Sequence, residues 1–136
     1  MDHFYLLHHP SFQIHHHPND AFSYKILSND KIISYVTDCE HATGSPSEKL
    51  IKFSNNSDLL IHDAHFTPED LINHKGWGHS SWEQAVIMAQ KSNSKQLILF
   101  HHNPNYNDNQ VELIEQKAKQ VFNQTIAAKQ GLVIYL

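Results

Sequence analysis

The sequence contains no arginine: all ten basic residues are lysines, scattered over 136 positions, and the formal net charge is −4. That excludes the dense cationic surface on which strong nonspecific nucleic-acid binding depends. A small phosphorylated ligand is still allowed, because a metal can supply positive charge locally. Cys39 is the single cysteine. An internal disulfide is therefore excluded, and a reducing, cytoplasmic setting is the expectation. No apolar run approaches the ~20 residues of a membrane span. The opening "MDHFYLLHHP" lacks a positive n-region and a small-residue cleavage site, so no secretory leader is expected. Internal repeats and Gly/Ser linkers are also missing, which argues for one domain or one part of a larger fold. A chain of this length can bury roughly two thirds of its unfolded surface and build a core.

Histidine is abundant instead: thirteen residues, six of them in the first 17 positions. The opening histidine clusters read most simply as a polar entry with weak metal affinity. Beyond them, Ala21–Leu27 and Lys31–Asp38 have strand character, joined by a turn at Ser28–Asp30. Ser45-Pro46-Ser47-Glu48 reads as a helix start capped by Ser45, with the helix running to about Phe53. The apolar run Asp58–Ala64 predicts a buried strand with polar residues at its end. Thr67-Pro68 predicts a further helix start. Ser80 is the expected cap of an amphipathic helix over Ser81–Lys91, where Trp82, Ala85, Val86 and Ala89 share one face. Gln96–Phe100 reads as another buried strand, Asn107–Ala128 as a long helix, and the terminal "LVIYL" as a last strand. Alternating strands and helices imply an α/β layered domain.

Four segments could carry chemistry. "YVTDCEH" ends a strand in Asp38, followed by Glu40 and His41; a carboxylate there can ligate a metal or act as a base, or simply begin a turn. In "LLIHDAHF", alternation puts His62 and Ala64 on one face and Asp63 on the other, where Asp63 can orient a histidine elsewhere. In "GWGHSSW", His79 projects from a glycine-bearing loop beside a helix N-terminus, a setting that favours anions. In "LILFHHNP", His101 and His102 point to opposite sides, so at most one shares a site with the others. Each segment alone also has a plain reading as a polar strand end or a surface loop.

Taken together, and in this order, they resemble the metallo-β-lactamase-fold hydrolases of the ribonuclease Z / phosphodiesterase branch. The residues that carry the resemblance are His17-Pro18 with Tyr24–Ile26, Tyr35–Asp38, Ile61–Phe66, Gly78–Trp82 and Leu97–His102, spanning about residues 15–105. The resemblance implies an α/β fold, a mixed sheet with helices on one face, forming the second αβ half of an αβ/βα sandwich. It implies metal ligands at His17, Asp38 and His101, with Asp38 bridging, and catalytic roles for His79 as proton donor and Asp63 as the acid that orients it. The family uses two zinc ions, or manganese or iron, and a metal-bound hydroxide as nucleophile on a phosphodiester.

One family signature is missing: none of the thirteen histidines falls in a His-x-His-x-Asp-His pattern. Residues 1–136 are thus expected to form a single partial domain lacking the N-terminal half. The expected partners are a phosphodiester substrate (a small molecule or an RNA end) and either further copies of this chain or a separate first half. Two other readings stay open: an inactive truncated remnant, and a metal- or partner-binding module.

Overall fold

The computed structural model describes residues 12–14, 18–19 and 21–136. Ten elements follow in order: β1 (Phe12–Ile14), β2 (Ala21–Ser28), β3 (Lys31–Val36), α1 (Glu48–Phe53), β4 (Leu59–Asp63), α2 (Pro68–Ile72), α3 (Trp82–Lys91), β5 (Leu97–Phe100), α4 (Asp108–Val121) and β6 (Thr125–Ala127). The strands form one mixed sheet in sequential order, β1 to β6. β1, β2 and β3 pair antiparallel, and β3 through β6 pair parallel.

Local chemistry explains these elements. β2 and β3 meet at Asn29 and Asp30, whose φ angles of 47° and 60° make the two-residue turn that matches strand twist. Asn and Asp tolerate that left-handed backbone better than other side chains. Parallel neighbours need a crossover. α1 joins β3 to β4, α2 and α3 join β4 to β5, and α4 joins β5 to β6. The C-terminal ends of β3, β4 and β5 therefore open at the same edge, where α/β sheets place their sites.

The helices cover one side of the sheet. Leu60, Leu97, Leu99 and Val36 pack there against Ala85, Val86, Met88 and Ala89 of α3 and Ile114 and Ala118 of α4. The opposite side carries the register pairs Tyr24–Tyr35, Ile26–Ile33 and Ile61–Ile98. Phe22, Tyr24 and Phe100 on that side are exposed, and the Tyr35 and Phe100 rings lie 5.8 Å apart. Ile98 and Leu59 on that side are buried, so the uncovered apolar surface lies around Phe22, Tyr24 and Phe100. Among the described residues, no helix is long and apolar enough to cross a membrane.

Several expectations need correction. Ser47, not Ser45, caps α1, its Oγ accepting from Leu50 N at 3.3 Å. Pro46 therefore precedes the cap, and Glu48 occupies the first turn, where its charge suits the helix dipole. Ser81, not Ser80, caps α3 through a reciprocal capping box with Gln84. The long helix stops at Val121, and Thr125–Ala127 forms β6 against β5. The exposed edge of that strand is tied down by α4, whose Glu115 Oε2 accepts from Ala127 N at 2.8 Å. With that edge taken, "LVIYL" has no strand partner among the described residues, and Val133 and Tyr135 stay exposed.

Asp58, just before β4, ties three segments together. It accepts from Ile32 N at 2.8 Å and from Lys95 Nζ at 2.7 Å. The Lys95 ammonium and the Ile32 amide hold its carboxyl below the usual carboxylate range. A depressed folded pKa adds stability above the unfolded value of about 3.9, and that stability is lost as pH falls through the folded value. The melting-temperature gap between the wild type and Asp58→Asn should therefore be largest near neutral pH and close on acidification below about pH 4.

Candidate active site

The site forms where β3, β4 and β5 end. β3 leads into Asp38, β4 ends in Asp63, and β5 leads into His101. A fourth segment joins them from the side. Phe66 and Ser81 form a parallel bridge, with Phe66 N to Ser80 O and Trp82 N to Phe66 O both at 3.1 Å. That bridge brings the loop after β4 alongside the residues before α3, so His65 and His79 stack with ring centroids 4.4 Å apart.

Asp63 is the hub. Its side chain is fully buried. Oδ1 accepts from the backbone N–H of His65 and of Ser80, each at 3.1 Å. Oδ2 accepts from His79 Nδ1 at 2.9 Å and lies 3.6 Å from His101 Nδ1. Burial alone would raise this carboxyl's pKa, but the His101 and His79 imidazoles outweigh it and hold the group well below the usual carboxylate range. The same Asp63 carboxylate holds His101 above the usual histidine range, against burial. Because a carboxylate only accepts, the neutral His79 ring carries its hydrogen on Nδ1 and its lone pair on Nε2.

Asp38 and His101 are the two assigned metal ligands within the described residues; His17 lies outside them. Asp38 Oδ1 and His101 Nε2 are 3.9 Å apart. Two donors on one zinc, each at roughly 2.1 Å, can be no more than ~4.2 Å apart, so this pair fits a shared ion. Carboxylate oxygen and imidazole nitrogen are also the right donor types. Both residues carry left-handed backbone, with φ of 51° at Asp38 and 59° at His101. A non-glycine residue in that region stores ~1–3 kcal/mol, and such strain concentrates at functional sites. It aims each side chain off the end of its strand.

Of the residues picked out in the sequence, Asp38, Asp63, His79 and His101 converge. His102 turns away, its Nε2 bonding Ala128 O at 3.2 Å. Ser80 is a clamp, not a cap. Its hydroxyl donates to the Cys39 carbonyl and its amide to Asp63.

Two roles were not visible in the sequence. His65, which stacks on His79, also lies with its ring 5.1 Å from His101 and its Nδ1 2.9 Å from the His101 carbonyl. Burial lowers its pKa. Glu40 is the second. Its two carboxylate oxygens accept from Gly76 N at 2.8 Å and Gly78 N at 2.9 Å. Both glycines have φ near 85°, a conformation glycine adopts without strain. Glu40 thereby pins the loop that delivers His79. Glu40→Ala should speed hydrogen exchange at the Gly76 and Gly78 amides on the order of tenfold, while core amides of β4 and β5 stay unchanged, as read by NMR.

Residues 4–102 match the model of the beta-lactamase superfamily domain. Ribonuclease Z of Sulfurisphaera tokodaii is 40% identical over 106 residues, 78% of this chain and 33% of the relative. Ribonuclease Z of Picrophilus torridus is 38% identical over 89 residues, 64% of this chain and 28% of the relative. Among solved structures, the metallo-beta-lactamase fold protein YhfI from Bacillus subtilis superposes with a TM-score of 0.72 at 24% identity, covering 90% of this chain and 46% of its own. Human tRNase Z, short form, gives a TM-score of 0.66 at 21% identity, covering 92% of this chain and 41% of its own. The structural likenesses establish the fold. The chain spans about a third of the length of these curated relatives and under half of these structural neighbours.

Proposed function

Since the chain belongs to the beta-lactamase superfamily, we propose that it supplies the proton-donating half of a metal-dependent hydrolase of phosphodiester bonds. The observation that carries this reading is the Asp63–His79 pair set beside Asp38 and His101 at one sheet edge. Asp63 accepts from His79 Nδ1, fixes the ring and stabilises the imidazolium. Nε2 then faces the scissile phosphate and hands its proton to the leaving oxygen as the P–O bond breaks. Asp38 and His101, with His17 as the resemblance implies, would hold the metal. When bound, the metal supplies an acidified water near neutral pH and positive charge beside the phosphate.

His17, Asp38 and His101 make three ligands, enough for one catalytic zinc but too few for the two-ion site that the family uses. The remaining ligands come, on this reading, from the other half of the sandwich, seated on the apolar sheet face around Tyr24, Tyr35 and Phe100. Two observations support that occupant. Phe22, Tyr24 and Phe100 stand exposed on that face, and the neighbours of the same fold extend to more than twice the matched length. The names of the relatives favour an RNA end as substrate, whereas the absence of arginine favours a small diester; both present the same bond.

The test is hydrolysis of bis(p-nitrophenyl) phosphate and of an RNA 3′ extension with zinc or manganese. It is run on the chain alone, at high concentration, and mixed with the first half of the Sulfurisphaera tokodaii ribonuclease Z. Metal-dependent turnover with the added half supports the proposal, and turnover by the chain alone would place the completing ligands in a second copy. Metal uptake with no turnover under any condition favours the inactive remnant.

A further inference from the structure

The proposed active site leaves a second cluster unused. Cys39 and His41 follow β3, and His62 stands in β4, on the side that packs into the core with Leu60 and Ala64. All three are buried, at 1%, 5% and 0% exposure. One donor atom from each lies within 4.8 Å of the other two. We propose that Cys39, His41 and His62 form a buried structural site for a zinc-class cation, separate from the Asp38–His101 pair.

Two features of the chain support it. The first is the state of His62. Its Nδ1 lies 2.7 Å from the Asp63 carbonyl. A carbonyl only accepts, so Nδ1 carries the hydrogen and Nε2 presents a lone pair. Histidines that bind metal are oriented in this way, by a backbone acceptor on the far nitrogen. The second is spacing. His41 Nε2 and His62 Nε2 are 3.2 Å apart. Two imidazole nitrogens on one tetrahedral zinc, each at roughly 2.1 Å, sit about 3.4 Å apart. Binding releases the thiol proton to solvent, leaving Zn²⁺, one thiolate and two neutral imidazoles, net +1.

The position gives the site a purpose. Cys39 directly follows Asp38, and His62 directly precedes Asp63. A cation held by Cys39 and His62 ties the ends of β3 and β4 together. It fixes two of the residues on which the proposed chemistry depends, without touching substrate.

Cobalt(II) added to the full chain tests this, because a cobalt–thiolate bond gives an intense charge-transfer absorption that nitrogen and oxygen ligands do not. One equivalent of cobalt should produce that band in the wild type and equally in Asp38→Asn/His101→Ala, and Cys39→Ser should abolish it. Cys39 is the single cysteine, so a thiolate band has no other source in the chain. The wild-type spectrum therefore decides the matter even where Cys39→Ser does not fold. A cobalt-loaded wild type with no thiolate band overturns the proposal and leaves the His41–His62 contact as a core hydrogen bond. A band lost in Asp38→Asn/His101→Ala also overturns it, since Cys39 would then belong to the active site.

Discussion

His79→Ala is expected to lower phosphodiester cleavage by ~10²–10⁴-fold in whichever assembly turns over substrate. The size follows from the role. A positioned general acid assists only in the transition state, so its loss falls on kcat and leaves KM nearly unchanged. The fold should survive, because the His79 side chain reaches the surface and Asp63 keeps both of its backbone amide partners without it. Metal content should survive too, since Asp38 and His101 are untouched. Steady-state kinetics together with elemental analysis of the same sample check both points. A variant that keeps full activity would remove His79 from the chemistry. Leaving groups of lower pKa need less protonation, so the penalty should shrink along a series of aryl diesters. A merely structural histidine would show no such trend.

Most of this arrangement was legible from the sequence, for an identifiable reason. Asp38, Asp63 and His101 each follow or end a short apolar run, and such runs become adjacent parallel strands. Side-chain alternation then decides which of two neighbours faces the site, which separates Asp63 from His62 and His101 from His102. The caps were read less well. Ser80 and Ser81 are equally competent caps in isolation. The choice falls to Ser81 because the Cys39 carbonyl and the Asp63 carboxylate, distant in sequence, claim the Ser80 hydroxyl and amide. β6 was missed for a similar reason. Thr125 and Ile126 continue a helical pattern, but the free edge of β5 offers backbone partners that a longer helix could not satisfy. Glu40 was visible as a carboxylate and invisible as a loop clamp, since nothing local brings Gly76 and Gly78 to it. The rule is physical. Periodicity encodes what a strand buries, whereas a polar contact between distant segments depends on the path of the chain between them.

Asp63 offers the sharpest separation of folding from chemistry. Asp63→Ala removes the acceptor for two backbone amides and for His79 Nδ1 inside the protein. Buried donors left without a partner cost roughly 1–3 kcal/mol each, so a loss of about 3–5 kcal/mol is expected. That is a large share of the ~5–15 kcal/mol that holds a domain folded. It should appear as a much lower urea midpoint at unchanged slope. Asp63→Asn should behave differently. Its amide oxygen can take the place of Oδ1 and keep both backbone bonds, so most of the stability remains. Its NH₂ group then faces His79 Nδ1 and can only donate. His79 must accept at Nδ1 and move its hydrogen to Nε2, the opposite tautomer, with no carboxylate to stabilise an imidazolium. Activity should therefore fall nearly as far as in His79→Ala while the urea midpoint stays close to that of the wild type. NMR of the ring nitrogens reads the tautomer directly. If Asp63→Asn retains Nδ1–H and full turnover, Asp63 acts as a structural clamp and not as the orienting acid.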